Sequence, residues 1–147
     1  MRFPKPLIRL LGRVQGGIYR ATGGRLVGKV GKAGVLLLTT TGRRSGKSRT
    51  VPLLYVPDGD AFVVVASQGG HDTHPAWYLN LRANPAATVQ IGKRVTIVQA
   101  EELTGEARDR LWAALVAVYA EYAEYRTRTS REFPIIALRP VTDAFGA

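Results

Sequence analysis

Short apolar runs joined by tight turns constrain the fold of this chain more than any other feature of its sequence. Six runs have the length and composition of β-strands; they are Val35–Thr40, Thr50–Val56, Ala61–Ala66, Ala87–Ile91, Arg94–Leu103 and Phe133–Leu138. Pro57-Asp58-Gly59-Asp60 separates the second run from the third, and Gly92-Lys93 separates the fourth from the fifth, as expected of hairpins. Consecutive hairpins favour a mainly antiparallel barrel with added helices, an α+β arrangement, over a parallel α/β sheet.

Three helices are predicted beside these strands, over Pro6–Tyr19, His74–Ala83 and Gly105–Tyr125. Asn84-Pro85 ends the second helix because the residue before a proline avoids the helical region. Thr104 is the expected N-cap of the third helix. Gly23–Gly34 is predicted to be a loop, and Pro134 favours an edge position for the last strand, since proline cannot donate to a ladder.

Charge is divided unevenly along the chain. Of the 21 lysines and arginines among its 147 residues, 12 lie in residues 1–50, which hold none of the 11 acidic residues, and the net charge is +10. This asymmetry indicates an anionic partner: a nucleic acid, a membrane surface or a multiply charged small ligand. A solvated basic surface accounts for it equally well. We expect a single domain, with a basic helix and loop over residues 1–32 and a barrel over residues 33–147.

The first predicted helix carries an apolar stripe made of Leu7, Leu10, Leu11, Val14 and Ile18. Such a stripe either rests on an anionic membrane, here through residues 6–20, or packs against the domain. No apolar run approaches the roughly 18 to 20 residues that span a bilayer, and the first residues lack the apolar segment of a signal peptide. The expected location is the cytoplasm, with peripheral attachment to the inner face of the cell membrane as an alternative.

Four cations crowd the segment between the first two predicted strands. Gly42–Arg49 contains Arg43, Arg44, Lys47 and Arg49 together with two glycines and two serines. Glycines let backbone amides approach an anion, and arginines bind phosphate or carboxylate through paired hydrogen bonds. The segment predicts an anion-binding loop, with a charged hairpin tip as the alternative.

Three further segments are candidates for lining a site. Ser67-Gln68-Gly69-Gly70 follows an apolar run and offers backbone groups to a flat ring, unless it is a plain turn. Trp77-Tyr78 provides stacking surface, unless both residues anchor the core. Tyr119, Tyr122 and Tyr125 fan across about 120° of a continuous helix. They line an aromatic pocket or form a tyrosine-rich boundary of the domain.

The sequence carries no catalytic machinery that would work without a cofactor. It has no cysteine, which excludes a disulfide framework, a thiolate metal site and a cysteine nucleophile. His71 and His74 are its only histidines and are too few for a metal site, so no metal is expected. Neither a serine nucleophile elbow nor a facing pair of carboxylates stands out. If the chain is an enzyme, a bound cofactor carries the chemistry.

Four stretches together resemble the deazaflavin-dependent nitroreductase family, small split-β-barrel proteins that use coenzyme F420. They are Leu36–Arg49, Pro52–Tyr55, Val63–Gly70 and Pro75–Pro85. The resemblance covers residues 33–140 and continues through the tyrosines to Pro134-Ile135-Ile136. It implies a split β-barrel of the FMN-binding-protein type over residues 33–147. The implied cofactor is coenzyme F420, with FMN as the alternative.

The resemblance also implies the site residues. Arg43, Arg44, Ser45 and Arg49 would contact the phosphate and acidic tail of the cofactor. Expected along the rest of the cofactor are Thr50, Val51, Pro52, Leu53, Leu54, Val65, Ala66, Ser67, Gln68, Ala76, Trp77, Tyr78, Leu79, Asn80 and Tyr122. The catalytic pocket over the ring would be shaped by Ser67, Tyr119, Tyr122 and Tyr125. Gln68 stands where the family often has lysine, which removes a positive charge.

The activity implied by the resemblance is hydride transfer from reduced deazaflavin to a quinone, a nitroaromatic or another electron-poor acceptor. The alternative is a non-catalytic or differently specific split-barrel protein that binds a lipid, a flavin or haem. We do not expect a nucleic-acid partner, because Trp77-Tyr78 lies outside the basic third and no recognition-helix motif occurs. The sequence leaves the oligomeric state and the physiological acceptor open.

Overall fold

The chain folds around an antiparallel barrel. The structure is a computed structural model and describes residues 29–30 and 33–141, so the predicted helix Pro6–Tyr19 lies outside the described residues. The strands are β1 (Lys29–Val30), β2 (Ala33–Thr41), β3 (Ser48–Asp58), β4 (Ala61–Val65), β5 (Ala86–Ile91), β6 (Arg94–Glu102) and β7 (Ile135–Pro140). The helices are α1 (Ala76–Ala83), α2 (Gly105–Val118) and α3 (Glu121–Tyr125), with 3₁₀ turns at Gln68–Gly70 and Arg126–Arg128.

Pairing of neighbouring strands closes the barrel. Over the described residues the strand order is β1-β2-β3-β4-β7-β6-β5, and β2 also pairs with β5, so six strands form a closed antiparallel ring. Gly59 (φ +62°) and Gly92 (φ +60°) occupy the two hairpin turns that the sequence predicts. Both adopt the left-handed conformation that glycine accepts without steric cost. The predicted antiparallel barrel is confirmed.

The residues of the central strands alternate between two cores. Val64 packs in one cluster with Trp77 of α1. Val63 packs in the other with Leu111 and Leu115 of α2. Because both faces are covered, β4 is a continuous apolar run rather than an alternating one. Burying each such aliphatic side chain stabilises the fold by roughly 1.5–3 kcal/mol.

Two predictions about the ends of the sheet are wrong. The last strand does not lie at an edge, because β7 pairs with both β4 and β6. Pro134 precedes the strand, and its carbonyl accepts a hydrogen bond from the N–H of Ala66 at 2.8 Å. Its missing N–H therefore leaves no position of the ladder empty. Gly23–Gly34, predicted to be a loop, contains β1, in which Val30 pairs with Ala33.

The prediction of a single helix over Gly105–Tyr125 is also wrong, because the helix is interrupted. α2 ends at Val118, and Tyr119 takes a non-helical conformation with φ −147° and ψ 88° before α3 begins at Glu121. Neither glycine nor proline marks this break in the sequence, so tertiary packing overrides local helix propensity.

The other helix ends lie close to their predicted positions. Thr104 is the N-cap of α2 as predicted, although its side chain makes no capping hydrogen bond. α1 begins at Ala76, two residues after the predicted start, with Pro75 as its N-cap. Within the described part of the chain, no helix is long and apolar enough to span a membrane.

Candidate functional site

The basic loop between β2 and β3 is ordered by its own backbone. The N–H of Gly42 donates to the carbonyl of Lys47 at 2.8 Å, and the N–H of Gly46 donates to the carbonyl of Gly42 at 2.8 Å. Gly46 has a φ of +72°, which favours glycine. The Ser45 hydroxyl oxygen accepts the N–H of Lys47 at 3.1 Å. The hydroxyl hydrogen of Ser45 is thus left to donate to a bound anion.

The cations of this loop are available to a ligand. Arg43, Arg44, Lys47 and Arg49 are all exposed. The ion pairs found within the described residues use other cations, namely Arg108 with Glu132, Arg110 with Asp58 and Arg139 with Glu101. A concentration of exposed guanidinium groups that pair with no carboxylate in the described part of the chain suits a multiply charged anion.

Asn80 of α1 fixes the position of this loop. Its side chain is 4% exposed. Its Oδ1 accepts the backbone N–H of Arg43 at 3.1 Å and also Nη1 of the same arginine at 3.4 Å. Its Nδ2 donates to Oγ1 of Thr40 at 3.1 Å. The family resemblance implied that Asn80 lies beside the cofactor. Nothing in the sequence indicated its hydrogen bonds to Arg43, which lies 37 residues away along the chain.

The strand that follows the loop presents a half-buried surface. Thr50, Val51, Pro52, Leu53 and Leu54 are all of intermediate exposure, and Oγ1 of Thr50 lies 2.7 Å from Oγ1 of Thr39. Val51 and Leu53 pack on the barrel core that contains Trp77. These residues form a wall next to the loop.

The turn after β4, Ser67–Gly70, has an unusual backbone. Val65, Ala66 and Ser67 are buried. Gln68 has a φ of +46°, followed by Gly69 at +60° and Gly70 at +80°. A non-glycine residue in the left-handed region costs about 1–3 kcal/mol, and such strain clusters at functional sites. The Gln68 side chain folds back to donate to the carbonyl and hydroxyl of Thr73 at 3.1 and 3.2 Å.

Arg131 holds this turn, although no pattern in the sequence points to it. Its Nη2 donates to the carbonyl of Ser67 at 2.7 Å, and its Nη1 donates to the carbonyl of Ala66 at 3.0 Å. Its Nε donates to the carbonyl of His71 at 3.0 Å. An arginine that binds backbone carbonyls more than 50 residues away leaves no mark in the local sequence.

Trp77 and Tyr78 lie in the core, where the alternative interpretation placed them. Trp77 is 8% exposed and Tyr78 is 6% exposed. The Tyr78 hydroxyl donates to Glu102 at 2.5 Å. Burial, followed by this hydrogen bond, raises the pKa of Tyr78 to about 12. Ala76 is exposed and Leu79 half-buried, so α1 presents these two residues rather than the aromatic pair toward its outer side.

The three tyrosines converge instead of fanning around one helix. Ring centroids lie 4.8 Å apart for Tyr119 and Tyr122, and 6.2 Å apart for both other pairs, all close to perpendicular. The break at Tyr119 accompanies this edge-to-face cluster, which is an arrangement that aromatic pairs prefer. Burial raises the pKa of each tyrosine, so all three hydroxyls are protonated at neutral pH.

Glu121 binds two of these hydroxyls. Tyr119 donates to its Oε2 at 2.8 Å and Tyr125 donates to the same oxygen at 3.1 Å. The two hydrogen bonds lower the pKa of Glu121, which is therefore ionised at neutral pH. The Tyr119 and Tyr125 oxygens lie 3.1 Å apart.

The Ser67–Gly70 turn and the tyrosine cluster touch each other. A Cβ at Gly70 would lie 2.9 Å from the backbone carbonyl of Tyr125, so only glycine allows this approach. Asn80 joins α1 to the basic loop, and His74, next to α1, binds Arg131 beneath the turn. Contacts thus connect the predicted cofactor segments to the predicted substrate pocket. Among the described residues, no group of three or more metal-ligating side chains occurs.

Comparison with known proteins decides the family. The family model of F420H(2)-dependent quinone reductases matches residues 11–140. The chain belongs to this family. An F420H(2)-dependent quinone reductase of Mycobacterium tuberculosis is 39% identical over 130 residues, which is 86% of this chain and 87% of that protein. A solved F420-H2 dependent reductase is 44% identical with a TM-score of 0.66, covering 71% of this chain and 93% of its own.

Family membership confirms three predictions: the split β-barrel fold, an F420-dependent reductase and coenzyme F420 as the cofactor. The fold is shared more widely, because a haem storage protein from Vibrio cholerae, 14% identical, superposes with a TM-score of 0.59 over 74% of this chain and 82% of its own. The observed donor set fits F420. Exposed guanidinium groups and turn amides suit its phosphodiester and carboxylates, and the small residues Ser67, Gly69 and Gly70 suit a flat ring.

Proposed function

We propose that the chain reduces a quinone, a nitroaromatic or another electron-poor acceptor with F420H2. The observation that carries this proposal is the exposed cluster of Arg43, Arg44 and Arg49, which has no carboxylate partner within the described residues and is tied to α1 by the buried Asn80. When bound, reduced F420 supplies a hydride to the acceptor. The protein's own contribution is to bind, orient and donate hydrogen bonds.

The residues that would hold the cofactor divide by chemistry. The arginines of the loop and the Ser45 hydroxyl would bind its phosphate and acidic tail. The half-buried residues Thr50–Leu54 and the buried residues Val65–Ser67 would lie along its apolar parts, with Gln68 at their edge. Ala76–Asn80 would close the site from α1, chiefly by holding the loop through Asn80.

The hydrogen bonds of the tyrosine cluster restrict which residues assist the acceptor. A phenol has one hydrogen to donate, and those of Tyr119 and Tyr125 go to Glu121. These two oxygens therefore meet a substrate mainly as acceptors. Tyr122 and Ser67 are the hydroxyls that we assign as donors to the oxygen on which negative charge develops. Preorganised donors of this kind stabilise such charge strongly in a site shielded from water.

Two measurements test the proposal. Titration of oxidised F420 with the purified protein should quench or polarise the cofactor fluorescence in a saturable way. F420H2 should then be oxidised when menadione is added, whereas NADPH in its place should give no comparable rate. Absence of saturable F420 binding would overturn the proposed function.

We also propose that the protein is cytoplasmic and that residues 6–20 attach it to the inner face of the membrane, close to quinone acceptors. The stripe of leucines and the flanking arginines support this attachment. Co-sedimentation with anionic vesicles should be lost when residues 1–20 are removed. Equal sedimentation of both proteins would contradict the attachment.

A further inference from the structure

Arg131 bridges both ends of the Ser67–Gly70 turn. Its guanidinium donates to Ala66 and Ser67, before the turn, at 3.0 and 2.7 Å, and to His71, after it, at 3.0 Å. Nη1 also lies 2.9 Å from Nδ1 of His74. A guanidinium has donors only, so His74 must accept through an unprotonated Nδ1. Three backbone carbonyls and one neutral imidazole therefore surround this cation.

The turn needs such support. Gln68 is left-handed ahead of two left-handed glycines, Gly69 and Gly70, and a strained non-glycine residue of this kind persists only where surrounding contacts fix it. Within the turn, the N–H of Gly70 donates to Ser67 at 3.0 Å and the N–H of His71 donates to Gln68 at 3.1 Å. Arg131 also binds the Ser67 carbonyl, which accepts the first of these bonds, and the carbonyl of His71, whose N–H donates the second.

We propose that Arg131 is a positioning residue that clamps the Ser67–Gly70 turn in the shape that receives the cofactor ring, and that His74 makes this clamp depend on pH. The assignment of the turn to the cofactor rests on the proposed function. Arg131 acts through the turn and touches neither cofactor nor acceptor. The clamp itself is a property of the protein without ligand.

The groups facing His74 favour its neutral form. Burial lowers the pKa of His74, and the charges of Arg131 and Arg82 lower it further, while Glu102 opposes them. The Tyr78 ring packs against the imidazole with centroids 4.8 Å apart. The clamp is complete above the ordinary histidine pKa of about 6.5. It is progressively lost as the pH falls toward the lowered value, because protonated His74 cannot accept from Arg131 and repels it.

Exchange of the Gly70 and His71 amide hydrogens, measured by NMR on the ligand-free protein and corrected for intrinsic rates, reports on the clamp directly. In Arg131→Met we expect exchange at least tenfold faster at pH 7.5. Arg131→Lys retains the charge but not the fork, so it should still exchange several-fold faster than the wild type. Arg139→Met is the matched control, since Arg139 lies on β7 and pairs with Glu101 of β6. It should leave the exchange of both amides unchanged.

The pH series isolates His74. Lowering the pH from 7.5 to 5.5 should accelerate the corrected exchange at least threefold in the wild type. It should have no such effect in His74→Asn, whose amide oxygen replaces Nδ1 as a pH-independent acceptor. F420 affinity should follow the same pattern, weakening about tenfold in Arg131→Met. Any change in the protonation of F420 with pH affects the wild type and His74→Asn equally. A difference in pH dependence between these two proteins is therefore due to His74.

The outcomes separate the clamp from the function. Faster exchange in both Arg131 variants without any F420 binding to the wild type would sustain the clamp and overturn the proposed function. The clamp would be overturned by a different set of results. In that case F420 binds normally, amide exchange in Arg131→Lys is unchanged, and His74→Asn responds to pH as the wild type does. Because the lysine variant keeps the positive charge and the asparagine variant keeps a hydrogen-bond acceptor, they decide the question even where Arg131→Met does not fold.

Discussion

The side-chain oxygen of Asn80 accepts the backbone N–H of Arg43 at 3.1 Å, which fixes the first cation of the basic loop to the helix behind it. The amide nitrogen of Asn80 completes the link by donating to Thr40 at the end of β2. A phosphate-binding loop that is held in place before the ligand arrives loses less conformational entropy on binding. Asn80 is therefore expected to contribute to affinity without touching the cofactor.

Asn80→Ala should weaken F420 binding about tenfold and lower the free energy of unfolding by about 1–3 kcal/mol, since it leaves the part-buried N–H of Arg43 and the buried hydroxyl of Thr40 without their partner. Fluorescence titration and urea denaturation measure the two effects. Asn84→Ala is the control, because Asn84 caps the same helix and its side chain, among the described residues, accepts only the N–H of the nearby Ala86. It should reduce stability and leave F420 affinity alone. An unchanged affinity in Asn80→Ala would contradict the role of the link.

Gly70→Ala should destabilise the protein more than the same change at another left-handed glycine. A Cβ at Gly70 meets the Tyr125 backbone at 2.9 Å, whereas one at Gly59, with φ +62°, meets nothing within 4 Å. Gly59→Ala should thus cost only the conformational penalty of about 1–2 kcal/mol, and Gly70→Ala clearly more. Urea denaturation compares them. Equal losses of stability would mean that the Ser67–Gly70 turn and α3 do not pack as tightly as described.

Tyr122→Phe should lower kcat/KM for quinone reduction by about 10²-fold, as expected for loss of a donor to developing charge. Tyr125→Phe should lower it by less than about threefold, because the Tyr125 hydrogen is already directed to Glu121. Steady-state kinetics with menadione at saturating F420H2 distinguish them. A larger loss in Tyr125→Phe would reverse the assignment of the donor.

The sequence predicted the parts of this protein that depend on local patterns. Hairpin turns at Gly59 and Gly92 and the short apolar runs between turns identify the strands, because turn glycines and apolar runs of strand length are local features. Thr104 likewise marked the start of its helix. The family resemblance rested on such local segments as well, and it led to the correct fold and cofactor.

The features that the sequence did not predict depend on distant contacts. Nothing near Pro134 shows that β7 pairs on both sides, and nothing near Tyr119 stops the helix. The break occurs where three aromatic rings pack edge to face. Arg131 was missed for the same reason, since its partners at Ala66 and Ser67 are brought to it only by the closed barrel.

The most direct test of the central claim is a titration of oxidised F420 against the wild type and the double variant Arg43→Ala/Arg44→Ala. We expect a Kd for the double variant that is higher by about 10- to 100-fold, each tenfold being about 1.4 kcal/mol. We also expect a weaker dependence on salt, and an unchanged ratio of rates with menadione and a nitroaromatic. Arg94→Ala, an exposed arginine outside the loop, should match the wild type. Wild-type affinity and salt dependence in the double variant would contradict the assignment of the loop to the cofactor.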